Sequence, residues 1–172
     1  VYNWGSRTTD GGASEVNFVG NYYKPGPGME LQQYALTMDH EDNFAGMQRA
    51  YFNGNVMPGF FDETNQELGR RSRLSNGITI NYETFVNAPF FPSYVATQSA
   101  ANAYKIVLSD VGCVQPEFDE QDQRIVAETL GGTYTYTGSV TGKKGFPDNE
   151  SDVGGYENYP VINRATDWDS DN

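Results

Sequence analysis

The stretch VNFVGNYYKPGPGMEL, residues 16–31, returns in part as AYFNGNVMPGFF, residues 50–61. Both copies contain Phe-x-Gly-Asn, which ends at Asn21 in the first copy and at Asn55 in the second. A strand-and-turn unit that recurs after 34 residues is typical of chains that stack successive units. Stacked asparagines both donate and accept side-chain hydrogen bonds, so the repeat predicts that Asn21 lies on Asn55. The alternative is coincidence, since Asn-rich turns are ordinary.

Strand character continues through the first part of the chain. NGITINYETF, residues 76–85, alternates apolar and polar side chains as a half-buried strand does. We expect three strands, the first two of them parallel neighbours, near residues 14–20, 50–56 and 77–82. The polar stretch before residue 76 is interpreted as a loop. Together these features predict an all-β solenoid over residues 1–96.

The sequence changes character at residue 97. TQSAANAYKIVLSDVG, residues 97–112, has apolar residues at helical spacing and begins with Thr97 or Ser99 as a cap. DEQDQRIVAETLGG, residues 119–132, predicts a second helix that is capped by Asp119 and stopped by glycine. We expect the two helices to bury one apolar stripe: Tyr104, Leu108, Val126 and Leu130.

The composition excludes several classes of partner. The 172-residue chain has a formal net charge of -12, which repels phosphates, so we expect no nucleic-acid partner. No run approaches the about 20 apolar residues of a membrane span, and we expect none. The single histidine, His40, has no partner histidine, which disfavours a metal site built on it. Aromatic residues make up 14% and Gly numbers 19, which favours β-structure with long loops.

Six blocks of sequence occur in an order that resembles a known enzyme family. They are VYNWG, VNFVGNYYKPGP, SAANAYKIVLSDVG, DEQDQRIVAE, TGKKG and SDVGGYENYP. Together they resemble the C-terminal half of the bacterial secreted pectate lyases, over nearly the whole chain. The resemblance implies the C-terminal coils of a right-handed parallel β-helix over residues 1–96 and a helical and extended tail over residues 97–172. The chain departs from the family pattern at Glu117-Phe118 and at Tyr156-Glu157, both in that tail.

The resemblance also implies an activity, the calcium-assisted β-elimination of polygalacturonate, the backbone of pectin. In that reaction calcium bridges enzyme and uronate carboxylates and acidifies the proton at C5, which an arginine removes. In the family, the calcium ligands and that arginine precede the VYNWG block, with which this chain begins. We therefore expect this chain alone to be inactive, and calcium to lie mainly in an N-terminal part of the same protein, present within it or as a separate chain. The resemblance further implies a secreted, periplasmic or cell-surface location.

Substrate contacts are predicted first in the segment GSRTTDGG. It places Arg7, Thr9 and Asp10 in the strand that follows the family's catalytic coil, where Arg7 is able to hold a uronate carboxylate through two hydrogen bonds. A solvent-facing loop is the plainer interpretation. Lys24 follows the repeated turn, and we expect it to have a structural role.

The segment GRRSRL contains the densest basic patch, and we interpret Arg70 and Arg71 in it as substrate-binding residues. A solvated face is the alternative, since charge runs are ordinarily exposed. The aspartates near the end of the chain have the D-x-D-x-D spacing that opens a calcium loop and are candidate metal ligands: Asp167, Asp169 and Asp171. Because the later ligands of such a loop are missing, they are interpreted as a truncated loop, or as a plain acidic tail.

Other functions stay open at this point. A non-catalytic carbohydrate-binding or structural protein is compatible with the same scaffold, because a fold does not decide a function. A carbohydrate-binding β-sandwich is disfavoured by the 34-residue repeat and by the two helices. An acidic cluster followed by Arg-x-Pro-x-Arg in preceding sequence is the feature that favours the lyase.

Overall fold

The computed structural model describes residues 1–30, 34–40, 46–75, 77–112 and 118–156. The chain divides into two compact units, Val1–Tyr134 and Thr135–Asn172. The strands and α-helices described in the first unit are β1 Thr9–Gly11, β2 Glu15–Val19, β3 Leu36–His40, β4 Arg49–Asn53, β5 Arg70–Leu74, β6 Phe85–Val86, α1 Ala100–Ser109 and α2 Glu120–Gly131. A short 3-10 helix precedes β5 at Gln66–Gly69, and another lies in the second unit at Glu150–Val153.

The strands form two parallel sheets, and successive strands alternate between them. One sheet has the order β1-β3-β5 and the other the order β2-β4-β6. Phe18 of β2 pairs with Phe52 of β4, so the two copies of the sequence repeat are direct neighbours. The same offset of 34 relates β3 to β5 in the other sheet, where Leu36 pairs with Arg70.

The all-β solenoid predicted for residues 1–96, with its right-handed parallel β-helix, is wrong. The described residues form two sheets of three short strands, from two to five residues each, together with helices of 10 and 12 residues. This is a mixture of α and β structure. The sequence repeat has only two copies, which is enough to pair β2 with β4 in parallel but does not specify a continuing series of coils.

Two further strand assignments also differ from the prediction. Residues 77–84 keep the alternating exposure, but in the described part of the chain no strand covers residues 77–82, and the sheet takes β6 as its third strand instead. The arginine-rich stretch interpreted as a loop forms β5. Long charged side chains hide the apolar alternation by which a strand is ordinarily identified.

The hydrophobic core draws on both sheets. Leu36 and Met38 of β3 are buried in one cluster with Ala50 and Phe52 of β4. Phe52 stacks on Phe18 with ring centroids 5.5 Å apart, so the repeat also aligns aromatic rings along the stack. Removal of a buried phenylalanine side chain costs about 3–5 kcal/mol, which identifies this stack as a main source of stability.

The predicted asparagine pair is confirmed. Asn21 Nδ2 donates to Asn55 Oδ1 at 2.9 Å, and the Asn21 backbone N–H donates to the same oxygen at 2.9 Å. Asn55 is fully buried, and its Nδ2 donates to the carbonyl of Phe18 at 2.9 Å. The glycine before each asparagine has a positive φ, 68° at Gly20 and 66° at Gly54, which only glycine adopts without strain.

Both helices occur where the sequence predicts them, with the expected caps. Ser99 accepts from the Asn102 backbone N–H at 3.3 Å, and Asp119 accepts from the Asp122 N–H at 2.8 Å. The left-handed residue Gly132 ends α2.

The predicted burial of the helices is only partly right. Tyr104, Leu108 and Val126 are half-buried, but Leu130 remains 57% exposed. Helix α2 buries Glu128 and Thr129 instead. Glu128 tolerates this position because Arg124 donates to its carboxylate at 3.0 Å.

Lys24 has the structural role that the sequence predicts. Its Nζ donates to the carbonyl of Leu130 at 2.9 Å and to the hydroxyl of Tyr104 at 3.2 Å. A cation at the C-terminal carbonyls of a helix also complements the helix dipole. Lys24 therefore ties the turn after β2 to both helices.

The described part of the second unit is held by aspartate side chains. Asp148 accepts the backbone N–H groups of Val140 and Thr141, each at 2.8 Å. Asp152 accepts those of Ser139 at 3.1 Å and Asp148 at 2.8 Å. The backbone N–H donors lower the pKa of Asp148, and the Ser139 side chain together with the backbone donors lowers the pKa of Asp152, so the carboxylates organise the loops around them.

Candidate substrate-binding face

The β1-β3-β5 sheet has one face in the core and one face of polar side chains. Leu36 and Met38 of β3 point into the core, so the alternation of the strand puts Thr37 and Asp39 on the opposite face. The register places Thr37 between Asp10 of β1 and Arg71 of β5. Asp39 is paired in the same way with Arg73. We call this the outer face, defined by Asp10, Thr37, Asp39, Arg71 and Arg73.

Arg73 is held on the outer face by two carboxylates. Its Nη2 donates to both oxygens of Asp10, at 2.9 and 3.2 Å. Its Nε and Nη2 also donate to the two oxygens of Asp39. The side chains of Asp10 and Asp39 are each only 10% exposed, so Arg73 supplies the charge that allows two acids to lie together.

The two carboxyls of this cluster titrate differently. The hydrogen bond with Asp39, together with burial and the charge of Asp39, raises the pKa of Asp10 above its ordinary 3.8. Burial raises the pKa of Asp39, but the hydrogen bonds of Arg73 and Asp10 outweigh that effect and leave it below 3.8. Asp10 is therefore the first of the two to take up a proton as the pH falls.

Arg71 lies two residues earlier on the same strand and face, in a different environment. Its Nε donates to Thr37 Oγ1 at 3.1 Å, and its guanidinium carbon lies 4.8 Å from the centre of the Tyr34 ring. No carboxylate in the described residues forms an ion pair with it. Arg71 is thus oriented by a hydroxyl and an aromatic ring, and no direct contact among the described residues neutralises its charge.

A cleft of about 320 Å³ opens beside this residue. Its lining combines two basic, one acidic and three apolar or aromatic side chains: Tyr34, Phe60, Glu67, Leu68, Arg70 and Arg71. We call it the Arg71 cleft. Arg70 contributes from the other side of β5, where its guanidinium carbon lies 4.6 Å from the centre of the Phe85 ring. Burial lowers the pKa of Arg70, and the charge of Glu67 partly offsets this.

The structure brings some of the predicted substrate-binding residues together and separates others. Asp10 and Arg71 share the outer face, and Arg7 reaches it from the preceding turn, with its Nε 3.9 Å from Asp10 Oδ2 and its side chain 69% exposed. Thr9 instead shares a hydrogen bond of 2.8 Å with the hydroxyl of buried Tyr23. Thr9 and Arg70 therefore lie off the outer face, and substrate contact by any of these residues remains a prediction.

The donors on this face do not suit a metal ion. Asp10 and Asp39 are only two carboxylates, and Arg73 occupies both. Across residues 1–30, 34–40, 46–75, 77–112 and 118–156, no three His, Cys, Asp or Glu side chains come together. The predicted metal ligands Asp167, Asp169 and Asp171 lie outside the described residues.

The sequence analysis did not single out Tyr34, Thr37 and Asp39, nor the cleft residues Phe60, Glu67 and Leu68. A signal for two of them was present, because the 34-residue offset of the repeat also aligns LTMDH with RRSRL. That alignment puts Thr37 beside Arg71 and Asp39 beside Arg73, as the structure does. Tyr34 lies outside both strands, and its contact with Arg71 follows only from the fold.

A second concavity lies between the helices and the turn after β2. This groove of about 360 Å³ is largely apolar, with Tyr22, Tyr104, Leu108 and Val126 in its lining. Tyr22 and Tyr104 stack in it with centroids 4.5 Å apart. Its lining has no charged side chain among the described residues, in contrast to that of the Arg71 cleft.

No helix in the described part of the chain is long and apolar enough to cross a membrane. No protein-family model matches the chain, and no curated protein matches it. The function proposed below is therefore argued from the geometry of the site.

Proposed function

We propose that this chain contributes a substrate-binding surface to a pectate lyase-like protein, one that cleaves polygalacturonate by calcium-assisted β-elimination. The observation that carries the proposal is the environment of the Arg71 side chain. It is a guanidinium held against an aromatic ring beside an open cleft, and it forms no ion pair within the described residues. On a chain with a net charge of -12, such a cation selects a local anionic partner against the overall field.

A uronate polymer suits this surface for physical reasons. Each sugar residue carries a carboxylate, and a planar guanidinium binds a carboxylate through two parallel hydrogen bonds. The C–H faces of the sugar ring pack on apolar and aromatic side chains, such as Tyr34 and Phe60 in the Arg71 cleft. Arg7 provides a second exposed guanidinium near the same face, for a neighbouring sugar residue.

The role proposed for these residues is contact rather than chemistry. Calcium, where it is bound, supplies the Lewis acid for the elimination, but the engaged pair Asp10 and Asp39 does not fit a calcium site. We assign no proton transfer to Arg71, whose contacts with Thr37 and the Tyr34 ring orient the guanidinium for binding. The elimination step belongs to residues that precede the VYNWG block in the family that this chain resembles.

Calorimetric titration of the 172-residue chain tests the binding proposal. A short oligogalacturonate is titrated alongside a neutral galactose oligomer of the same length, in low and in high salt. The uronate oligomer should bind and should weaken as salt screens its charges, while the neutral oligomer should not bind. Equal binding of both oligomers, or no binding of either, would contradict the proposal.

A non-catalytic carbohydrate-binding or structural protein is the second candidate. The pairing of Asp10 and Asp39 with Arg73 favours this second candidate, because both carboxylates stabilise the fold through that ion pair. Ultraviolet absorbance of the unsaturated product separates the two candidates. A protein that joins this chain to the family's preceding segment should release the product and should stop when calcium is chelated. Binding without any product would favour the second candidate.

A further inference from the structure

We propose that the peptide bond between Tyr94 and Val95 is a proteolytic processing site, recognised by an endopeptidase with a pocket for an aromatic side chain, and that the cut chain remains assembled. The site lies in the connection between β6 and α1, which we call the β6–α1 connection, residues 87–99. It is separate from the outer face and does not depend on the proposed function.

The first support is the exposure of the β6–α1 connection. Residues 91–99 are exposed without interruption. The side chain of Tyr94 is 95% exposed and that of Val95 is 76% exposed, and in the described part of the chain no large hydrophobic residue is more exposed than Tyr94. The pocket of a partner is therefore able to enclose the Tyr94 ring without any opening of the hydrophobic core.

The second support is the backbone of the connection. An endopeptidase binds its substrate as an extended segment and pairs with main-chain N–H and C=O groups. Among the described residues, no backbone–backbone hydrogen bond involves residues 87–98. Pro89 and Pro92 lack an N–H group, and each favours an extended conformation in the residue before it. The connection is thus able to enter a protease without loss of a helix or strand, and cleavage does not require unfolding.

The two phenylalanines of the connection are poorer sites than the tyrosine. Asn17 holds both of them, because its Oδ1 accepts from the Phe90 backbone N–H at 3.0 Å and its Nδ2 donates to the Phe91 carbonyl at 3.0 Å. The bond after Phe91 leads to Pro92, whose ring nitrogen has no N–H and whose side chain crowds the bond. These features favour cleavage after Tyr94.

The bond after Tyr94 is held only by local contacts of the Ser93 hydroxyl. This hydroxyl accepts from the Val95 N–H at 3.4 Å and donates to the Val95 carbonyl at 2.9 Å, and at the surface a partner replaces such contacts at little cost. Hydrolysis adds one water molecule across the bond. The C–N bond breaks, the carbonyl carbon of Tyr94 takes the hydroxyl, and the nitrogen of Val95 takes the proton.

The products are residues 1–94 and 95–172, and contacts across the cut hold them together. The six described strands precede the cut and both α-helices follow it. Lys24 donates to the carbonyl of Leu130 at 2.9 Å, and Tyr22 stacks on Tyr104 with ring centroids 4.5 Å apart. Because these contacts do not involve the connection, cleavage removes a covalent link and leaves the packing of the helices in place.

Limited digestion of the 172-residue chain with chymotrypsin, an endopeptidase of this specificity, tests the proposal under native conditions. Mass spectrometry should identify residues 1–94 and 95–172 as the first pair of products. Tyr94→Ser should slow this cut by roughly tenfold or more, because the pocket loses its aromatic side chain. The control Tyr156→Ser changes a tyrosine that is 71% exposed and should leave the rate of this cut unchanged. Substitutions at such exposed positions ordinarily change stability little.

A first cut at another bond, or an unchanged rate in Tyr94→Ser, would overturn the assignment of the site. Gel filtration of the cut chain tests the second half of the proposal. The two pieces should elute together at the volume of the intact chain, and separate elution would contradict the assembly. The digestion involves no carbohydrate, so its result is independent of the binding proposed above.

Discussion

Arg71 and Arg73 are two residues apart on one strand and one face, yet their surroundings differ in charge. Arg73 is surrounded by the carboxylates of Asp10 and Asp39. Arg71 faces a threonine and a tyrosine ring. The partner on β3, 34 residues earlier in the chain, decides the difference: it is Asp39 for Arg73 and Thr37 for Arg71. In a parallel sheet, the neighbouring strand thus determines whether a charged side chain is structural or available.

The largest expected effect comes from removing the structural arginine. Arg73→Ala leaves two nearly buried carboxylates side by side, and should lower the free energy of unfolding by about 1–3 kcal/mol, less than for a fully buried pair because Arg73 is partly exposed. Arg71→Ala should change it by less than about 0.5 kcal/mol, as is usual for surface substitutions. Urea unfolding measures both. Equal losses would remove the distinction between the two arginines.

Exchange of the β3 partner is the sharper test of the comparison. Thr37→Asp gives Arg71 the kind of partner that Arg73 has, and should weaken oligogalacturonate binding by roughly tenfold through competition and repulsion. Thr37→Asn, which has a similar shape and no charge, should bind nearly as the wild type does. Calorimetric titration decides between them. Similar losses in both variants would indicate that the side chain at 37 acts through packing rather than charge.

A smaller effect concerns the end of β3, at His40. Its Nε2 lies 3.0 Å from Thr84 Oγ1 and its Nδ1 lies 3.2 Å from the Tyr82 hydroxyl. Burial lowers the pKa of His40 below its ordinary 6.5, and Asp39 opposes this in part. Because the unfolded chain then binds the proton more readily, stability should be full above pH 6.5 and decline as the pH falls through that value. The loss should be on the order of 1 kcal/mol.

Urea unfolding at pH 7.5 and at pH 5.5 measures this loss, and His40→Gln serves as the reference that does not titrate. The wild-type chain should lose more stability than the variant over this interval. A wild-type chain that is equally stable at both values would show that the imidazole is not held neutral by the fold.

The smallest expected effect is the acid titration of the Arg73 cluster. The raised pKa of Asp10 adds stability as the pH falls through it, while the lowered pKa of Asp39 removes stability below about 3.8, so the two contributions oppose each other. Asp10→Asn leaves only the contribution of Asp39. The free energy of unfolding of this variant should therefore fall more steeply between pH 5 and 3.5 than that of the wild-type chain, by less than about 1 kcal/mol. Urea unfolding at both values checks this. Asp110→Asn, in an exposed position, should follow the wild type; a parallel curve for Asp10→Asn would contradict the coupling of the two acids.

The sequence predicts those parts of the fold that depend on local signals. The caps at Ser99 and Asp119 mark both helices, and the repeated turn marks the stacking of Asn21 on Asn55. The extent of the architecture was not predictable in the same way, because two copies of a unit do not determine whether further units continue the stack. The prediction of a solenoid was wrong for that reason.

The candidate site shows the same limit. The basic patch is visible in the sequence, but its arginines differ only in their neighbours across the sheet. Arg70 packs on Phe85, Arg71 on Tyr34, and Arg73 pairs with acids on two strands. The 34-residue register identifies the β3 partners, whereas the aromatic contacts depend on loops and on the other sheet, which no periodic pattern encodes.

The central claim is that Arg71, which forms no ion pair within the described residues, is a cation of the outer face available to a substrate carboxylate. It is tested most directly by calorimetric titration of oligogalacturonate into Arg71→Gln and Arg49→Gln, two variants with the same change in net charge. The account predicts roughly tenfold weaker binding for Arg71→Gln and nearly wild-type binding for Arg49→Gln. Equal affinities in the two variants would contradict it, since binding would then depend on total charge and not on this residue.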